Sequence, residues 1–125
     1  MPRLPRTLLT LLIPMLLAGC GRMQSDAQLL SAARQNVDRG ETKSAVIQLK
    51  NLLQRTPANG QARLMLGRLY LDAGDVLSAE KELRRALELG VDRGQAMPPL
   101  GKSLLLQGRY DKILDEIDGD ARQPE

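Results

Sequence analysis

The chain has no histidine, tryptophan or phenylalanine, and its only aromatic rings are those of Tyr70 and Tyr110. Without histidine it lacks the commonest general base and metal ligand of neutral pH. Cys20 is the single cysteine, which excludes an intrachain disulfide and a cysteine-based zinc cluster. The shortage of rings removes the platforms on which single-stranded nucleic acid stacks. Charge adds nothing in that direction. Of the 18 Lys and Arg residues, Arg3 and Arg6 fall in a segment expected to be removed, leaving 16 against 15 Asp and Glu. The sequence also has no Gly-rich phosphate loop and no serine elbow. Asp72 and Asp75 are close in sequence, but capping at a turn accounts for Asp75. These gaps point away from an enzyme, and no catalytic residue, metal, cofactor or nucleic-acid partner is expected.

What remains is mostly leucine and alanine. Apolar residues make up 42 % of the chain, and this composition suits small-into-large helix packing better than a sheet. A length of 125 residues allows one modest domain. Within it a period of 34 recurs. Gly40, Gly74 and Gly108 are spaced by it, as are Ala45 and Ala79, Leu49 and Leu83, and Leu66-Gly67 and Leu100-Gly101. Fixed small and large positions at that period predict an all-α chain of helical hairpins stacked in a short right-handed solenoid.

The first 20 residues read as an address. Arg3 and Arg6 precede an apolar run, Thr7 to Leu17, that Pro14 interrupts. A basic start followed by about 7–15 apolar residues is a secretory signal, and this run falls short of the roughly 20 residues of a membrane span. The run closes on Leu17-Ala18-Gly19-Cys20, which resembles the lipobox of bacterial lipoproteins at all four positions. That resemblance implies cleavage after residue 19 and lipid, palmitate included, on Cys20. Gly21 follows rather than aspartate, which by the same analogy implies the periplasmic face of the outer membrane. Residues 20–25 are then a tether.

The first hairpin spans 26–59. Ser25 or Asp26 caps a helix to about Asp38, and Glu41 or Thr42 starts a second that Thr56-Pro57 ends. The second hairpin spans 60–93 and is the best formed, with Gly74-Asp75 at its turn. Small Gly67 and Ala79 let its helices approach, and Tyr70, Leu83 and Ala86 complete the packing. Its second helix, expected over Val76 to Leu89, carries Glu80, Lys81, Glu82, Arg84, Arg85 and Glu88, expected as a solvated outer face. The third unit, 94–118, is incomplete. Met97-Pro98-Pro99-Leu100 is expected to open its first helix, with the prolines in the first turn. Its second helix is expected to span about nine residues before a polar tail at 119–125. Stacked arrays need a polar-faced closing helix, so either the last hairpin is its own weak cap or, as the favoured reading, residues 119–125 are a truncation point and the chain is the N-terminal piece of a longer protein.

The second hairpin resembles the tetratricopeptide repeat, whose pattern is W-x2-L-G-x2-Y, then A-x3-F, then P. Here the positions hold Arg63, Leu66-Gly67, Tyr70, Ala79, Leu83 and Val91. Three segments, Lys43 to Leu53, Gln61 to Leu71 and Ser78 to Gly90, are similar to the start of the tetratricopeptide lipoproteins of exosortase and PEP-CTERM systems. That resemblance implies a scaffold in exopolysaccharide production and envelope sorting. Pilotin or outer-membrane-assembly lipoproteins, and a periplasmic glycan-binding protein, are the competing readings.

In tetratricopeptide arrays the first helices line a concave groove that binds protein partners. The resemblance places the ninth position of each unit there, namely Arg34, Arg68 and Lys102. The twelfth positions are Val37, Leu71 and Leu105, and the thirteenth Asp38, Asp72 and Leu106. A basic ribbon beside an apolar one suits an extended acidic protein segment, or an anionic polysaccharide.

Overall fold

The structure is a computed structural model, and it describes residues 24–121. The expected signal segment and Cys20 lie outside the described residues. Six helices follow one another: α1 (Asp26–Asp38), α2 (Thr42–Arg55), α3 (Gly60–Asp72), α4 (Val76–Glu88), α5 (Arg93–Leu106) and α6 (Tyr110–Ala121). No strand occurs among the described residues. The helices pair as α1 with α2, α3 with α4 and α5 with α6, and successive hairpins join through α2–α3 and α4–α5. The all-α stack of hairpins is therefore the fold. Among the described residues no helix is long and apolar enough to cross a membrane.

The 34-residue period is written into the backbone at the turns. Gly40, Gly74 and Gly108 have φ of 75°, 81° and 72°, the left-handed region that only glycine enters without strain. At each turn the glycine N–H donates to a carbonyl three residues back, at Val37, Leu71 or Leu105. The following N–H donates to a carbonyl five residues back, at Asn36, Tyr70 or Leu104. This double closure is the Schellman motif, repeated three times in identical register. Four N-termini are capped by side chains: Ser25 accepts from the Gln28 N–H, Asn59 from Ala62, Asp75 from Ser78 and Asp92 from Gln95, whereas Glu41 gives α2 no side-chain cap. Ser25 and Gln28 form a reciprocal capping box.

Two apolar clusters form the core. Leu29, Ala33, Ala45, Leu49 and Leu52 of the first hairpin meet Ala62, Leu66 and Leu69 of α3. Leu64, Leu71, Ala79, Leu83 and Ala86 of the second meet Ala96, Leu100 and Leu104 of α5. Tyr70 packs against both clusters. The helix crossing in the second hairpin is tight because it is built on glycine: a Cβ at Gly67 would stand 2.7 Å from the Leu83 Cγ. Ala79, Leu83 and Ala86 are all fully buried there.

The third hairpin departs from expectation in two ways. First, α5 begins at Arg93 behind the Asp92 cap, so Pro98 and Pro99 lie beyond its first turn, inside the helix. Neither can donate the N–H that an α-helix requires, and the carbonyls one turn earlier, at Gly94 and Gln95, lose their usual donors. For Gln95 the gap is filled from α3, where Arg68 Nη2 donates to its carbonyl oxygen at 2.9 Å. Second, α6 is 12 residues long rather than about nine. Gly119, expected to break it, does not take up the left-handed φ that would stop a helix, and α6 contains no proline.

Candidate interaction groove

The side of the stack formed by α1, α3 and α5 carries two adjoining concavities. One, of about 310 Å³, lies between α1 and α3 and is lined by Arg34, Val37, Asp38, Met65, Arg68, Leu69 and Asp72. The other, of about 330 Å³, lies between α3 and α5 and is lined by Arg68, Leu71, Asp72, Pro98, Pro99 and Lys102. Arg34, Arg68 and Lys102 thus follow one another along one wall, with Arg68 shared by both halves. All three residues are exposed. The 34-residue period has this effect because identical Schellman turns bring each first helix back in the same rotation.

The companion apolar ribbon is interrupted. Val37 is 38 % exposed and Leu105 52 %, but Leu71 is only 7 % exposed, because it belongs to the core under α5. Acidic groups share the wall as well, since Asp38 and Asp72 stand one turn beyond Arg34 and Arg68. The surface is therefore an alternation of cation, apolar contact and carboxylate, and not a uniformly basic strip. Arg68 has a structural task besides, through its bond to Gln95.

The packing residues lie at the crossing between helices and away from the groove, except Tyr70, which joins the two clusters. Lys50 Nζ lies 5.9 Å from the Tyr70 ring centroid, within the range of a weak cation–π contact. Asn36 stands where the first unit lacks that aromatic; it is buried and donates to Gln48 Oε1 at 2.9 Å.

Sequence reasoning missed a polar cluster on the opposite side. The charged run of α4 is not a solvated face throughout. Glu82 is buried, and its carboxylate takes Arg63 Nη1 at 2.6 Å. Arg63 occupies the repeat's tryptophan position, so an ion pair replaces an indole there. Glu80 accepts from Arg84 Nε at 2.9 Å, Gln107 Nε2 at 2.9 Å and Arg109 Nη1 at 2.9 Å. Arg84 in turn pairs with Glu116. Burial acts to raise the Glu80 carboxyl, but the bonds from Gln107 and Arg84 and the charges of Arg109 and Arg84 outweigh it. The group is held below the ordinary glutamate value. Lys81, Arg85 and Glu88 keep the solvated role expected of the whole run. Only the Glu80–Arg84 spacing was legible beforehand; the partners from 107 to 116 become neighbours through the fold.

Residues 36–97 match the family described as tetratricopeptide repeat. This stretch is similar to tetratricopeptide repeats. The match runs from the end of α1 into α5, and so contains α2, α3 and α4 complete. A search of curated protein sequences returns no match to the chain. The turn after α4 accounts for the valine at the repeat's closing-proline position. Val91 is buried and its N–H donates to the Ala86 carbonyl at 3.1 Å, a bond proline cannot make. Tetratricopeptide repeats generally mediate protein–protein interaction and are typically non-enzymatic scaffolds.

Proposed function

We propose that the chain is a membrane-anchored, non-enzymatic scaffold of the bacterial envelope, and that its groove holds an extended segment of a partner protein. The observation that carries this reading is the alignment of Arg34, Arg68 and Lys102 along adjoining concavities, with Val37 and Asp38 or Leu71 and Asp72 beside them. Cations spaced one per hairpin match carboxylates spaced along an extended chain, and the intervening apolar contacts match its alternate side chains. Leu17-Ala18-Gly19-Cys20 supports the anchor, with lipid on Cys20 and the protein on the periplasmic face of the outer membrane. More than one acyl chain gives firm attachment, each buried methylene contributing about 0.8 kcal/mol. The similarity of Lys43 to Leu53, Gln61 to Leu71 and Ser78 to Gly90 to exosortase-system lipoproteins supports a place in exopolysaccharide production and envelope sorting.

The test is a titration of the chain with a short unstructured peptide rich in Asp and Leu. Arg34→Gln with Lys102→Gln should weaken binding by about tenfold or more, while Arg68 stays in place to hold α5. Equal affinity of the parent and the double variant would refute the groove. For the anchor, Cys20→Ser should release the protein from the membrane fraction; retention there would refute lipid attachment at Cys20.

A further inference from the structure

Helices α1 and α3 each end on a carboxylate, Asp38 and Asp72. The C-terminus of a helix carries the negative end of its dipole, so an acid is disfavoured there and a base favoured. Neither helix places a basic residue in its last turn. Arg34 and Arg68 stand four residues earlier, which is the less favourable order for a helical ion pair. Neither pair closes. Among the described residues Arg34, Asp38, Asp72 and Lys102 form no ion pair or side-chain hydrogen bond. Arg39 follows Asp38, but successive residues on a helix do not face each other, and Ala73 stands at that place after Asp72. Other carboxylates of the first two hairpins are engaged: Asp26 with Thr56, Asp75 with its own helix N-terminus, Glu80 with Arg84 and Glu82 with Arg63.

Both acids line the groove, Asp38 in the concavity between α1 and α3, and Asp72 in that one and the next. The 34-residue register sets them in a second row beside the cations, and puts Leu106, 58 % exposed, at the same place in α5. An acid that weakens its own helix at two successive copies of one position, with no partner inside the protein, is accounted for by a cation outside it. A uniformly acidic segment meets that row with repulsion. In an extended chain successive side chains point to opposite edges. A segment whose acids and bases alternate therefore presents every acid to one row and every base to the other.

We propose that Asp38 and Asp72 set the specificity of the groove: they select an extended segment of a partner protein in which acidic residues alternate with basic ones. The acids of the segment face Arg34, Arg68 and Lys102, and its bases face Asp38 and Asp72. This rests on the groove proposed above and narrows its occupant from an acidic segment to one of alternating charge.

The probes are two synthetic peptides of identical composition, one with alternating Asp and Lys and one with the same residues in two blocks, each with one tryptophan. They are titrated into the full chain held in phosphatidylcholine nanodiscs, with empty discs as the blank. The chain has no tryptophan, so peptide fluorescence reports binding directly. The parent should bind the alternating peptide about tenfold more tightly than its block isomer. Asp38→Asn with Asp72→Asn should abolish that preference and tighten binding of the Asp- and Leu-rich peptide. The same variant should melt higher than the parent, because two carboxylates leave helix C-termini. The proposal is overturned if the parent binds both isomers alike, or if the asparagine variant keeps the preference or melts lower than the parent. In those cases the groove itself stands where Arg34→Gln with Lys102→Gln weakens binding of the Asp- and Leu-rich peptide. Where that variant leaves the affinity unchanged, the groove fails and its specificity falls with it.

Discussion

Arg68 Nη2 lies 2.9 Å from the Gln95 carbonyl oxygen, the acceptor that Pro99 leaves without its helical donor. A side chain of α3 thereby completes the backbone hydrogen bonding of α5, and two internal prolines are carried without a break in the helix. The bond is exposed and charge-assisted, so its loss should cost about 1 kcal/mol. Arg68→Gln should lower the melting temperature by about 4–8 °C. In a Pro99→Ala background, where the backbone N–H returns, the same change should cost much less. A thermal double-mutant cycle that shows no coupling would separate the two residues energetically.

Gly67 and Gly101 occupy equivalent places and should respond oppositely to alanine. At Gly67 the new Cβ meets Leu83 Cγ at 2.7 Å, and Gly67→Ala should destabilise by about 1–3 kcal/mol. At Gly101 no described neighbour lies within 4 Å of a new Cβ, and Gly101→Ala should stabilise α5 by about 0.5–1 kcal/mol through helix propensity. Urea denaturation of the two variants checks the contrast. Equal effects would mean that the third hairpin closes as tightly as the second.

The part-buried pair of Arg63 and Glu82 predicts another asymmetry. Arg63→Met alone strands the Glu82 carboxylate and should cost about 3 kcal/mol, reduced somewhat by the residual exposure of both groups. Arg63→Met combined with Glu82→Leu should be close to the parent in stability, because an apolar pair fills the same space. Chemical denaturation distinguishes the two outcomes.

The turns, and with them the stacking register, were legible in the sequence because they depend on single residues. Gly40, Gly74 and Gly108 each supply a backbone conformation that other residues resist, and their spacing transmits directly to the placement of Arg34, Arg68 and Lys102. The prolines of α5 misled because Pro98-Pro99 is a local stop signal. Asp92 capping six residues earlier and Arg68 from another helix override it. Leu71 lines the groove as its position suggests, but it is only 7 % exposed because it also packs in the core under α5. The Glu80 cluster was hidden for a similar reason: its partners lie 27 to 29 residues away at Gln107 and Arg109, and no periodic pattern announces them.

Glu80 makes the docking of α6 acid-sensitive. Its folded carboxyl lies below the unfolded value of 4.5. The stability it contributes is therefore complete above the unfolded pKa and is lost as the pH falls through the folded one. Amide hydrogen exchange in α6 should accelerate over that interval ahead of exchange in α3. Glu80→Gln should remove most of this pH dependence, keeping an acceptor for Gln107 but no charge for Arg84 and Arg109. A pH profile unchanged by that substitution would place the acid sensitivity elsewhere.

In the proposed protein-binding wall, a 34-residue register aligns three separate cations. Backbone chemical-shift mapping of the chain during titration with the Asp- and Leu-rich peptide tests it most directly. The predicted result is a set of saturable shifts around Arg34, Arg68 and Lys102 that follow a single binding curve. Shifts confined to one hairpin, or centred on the second-helix side around Lys81 and Arg85, would contradict it.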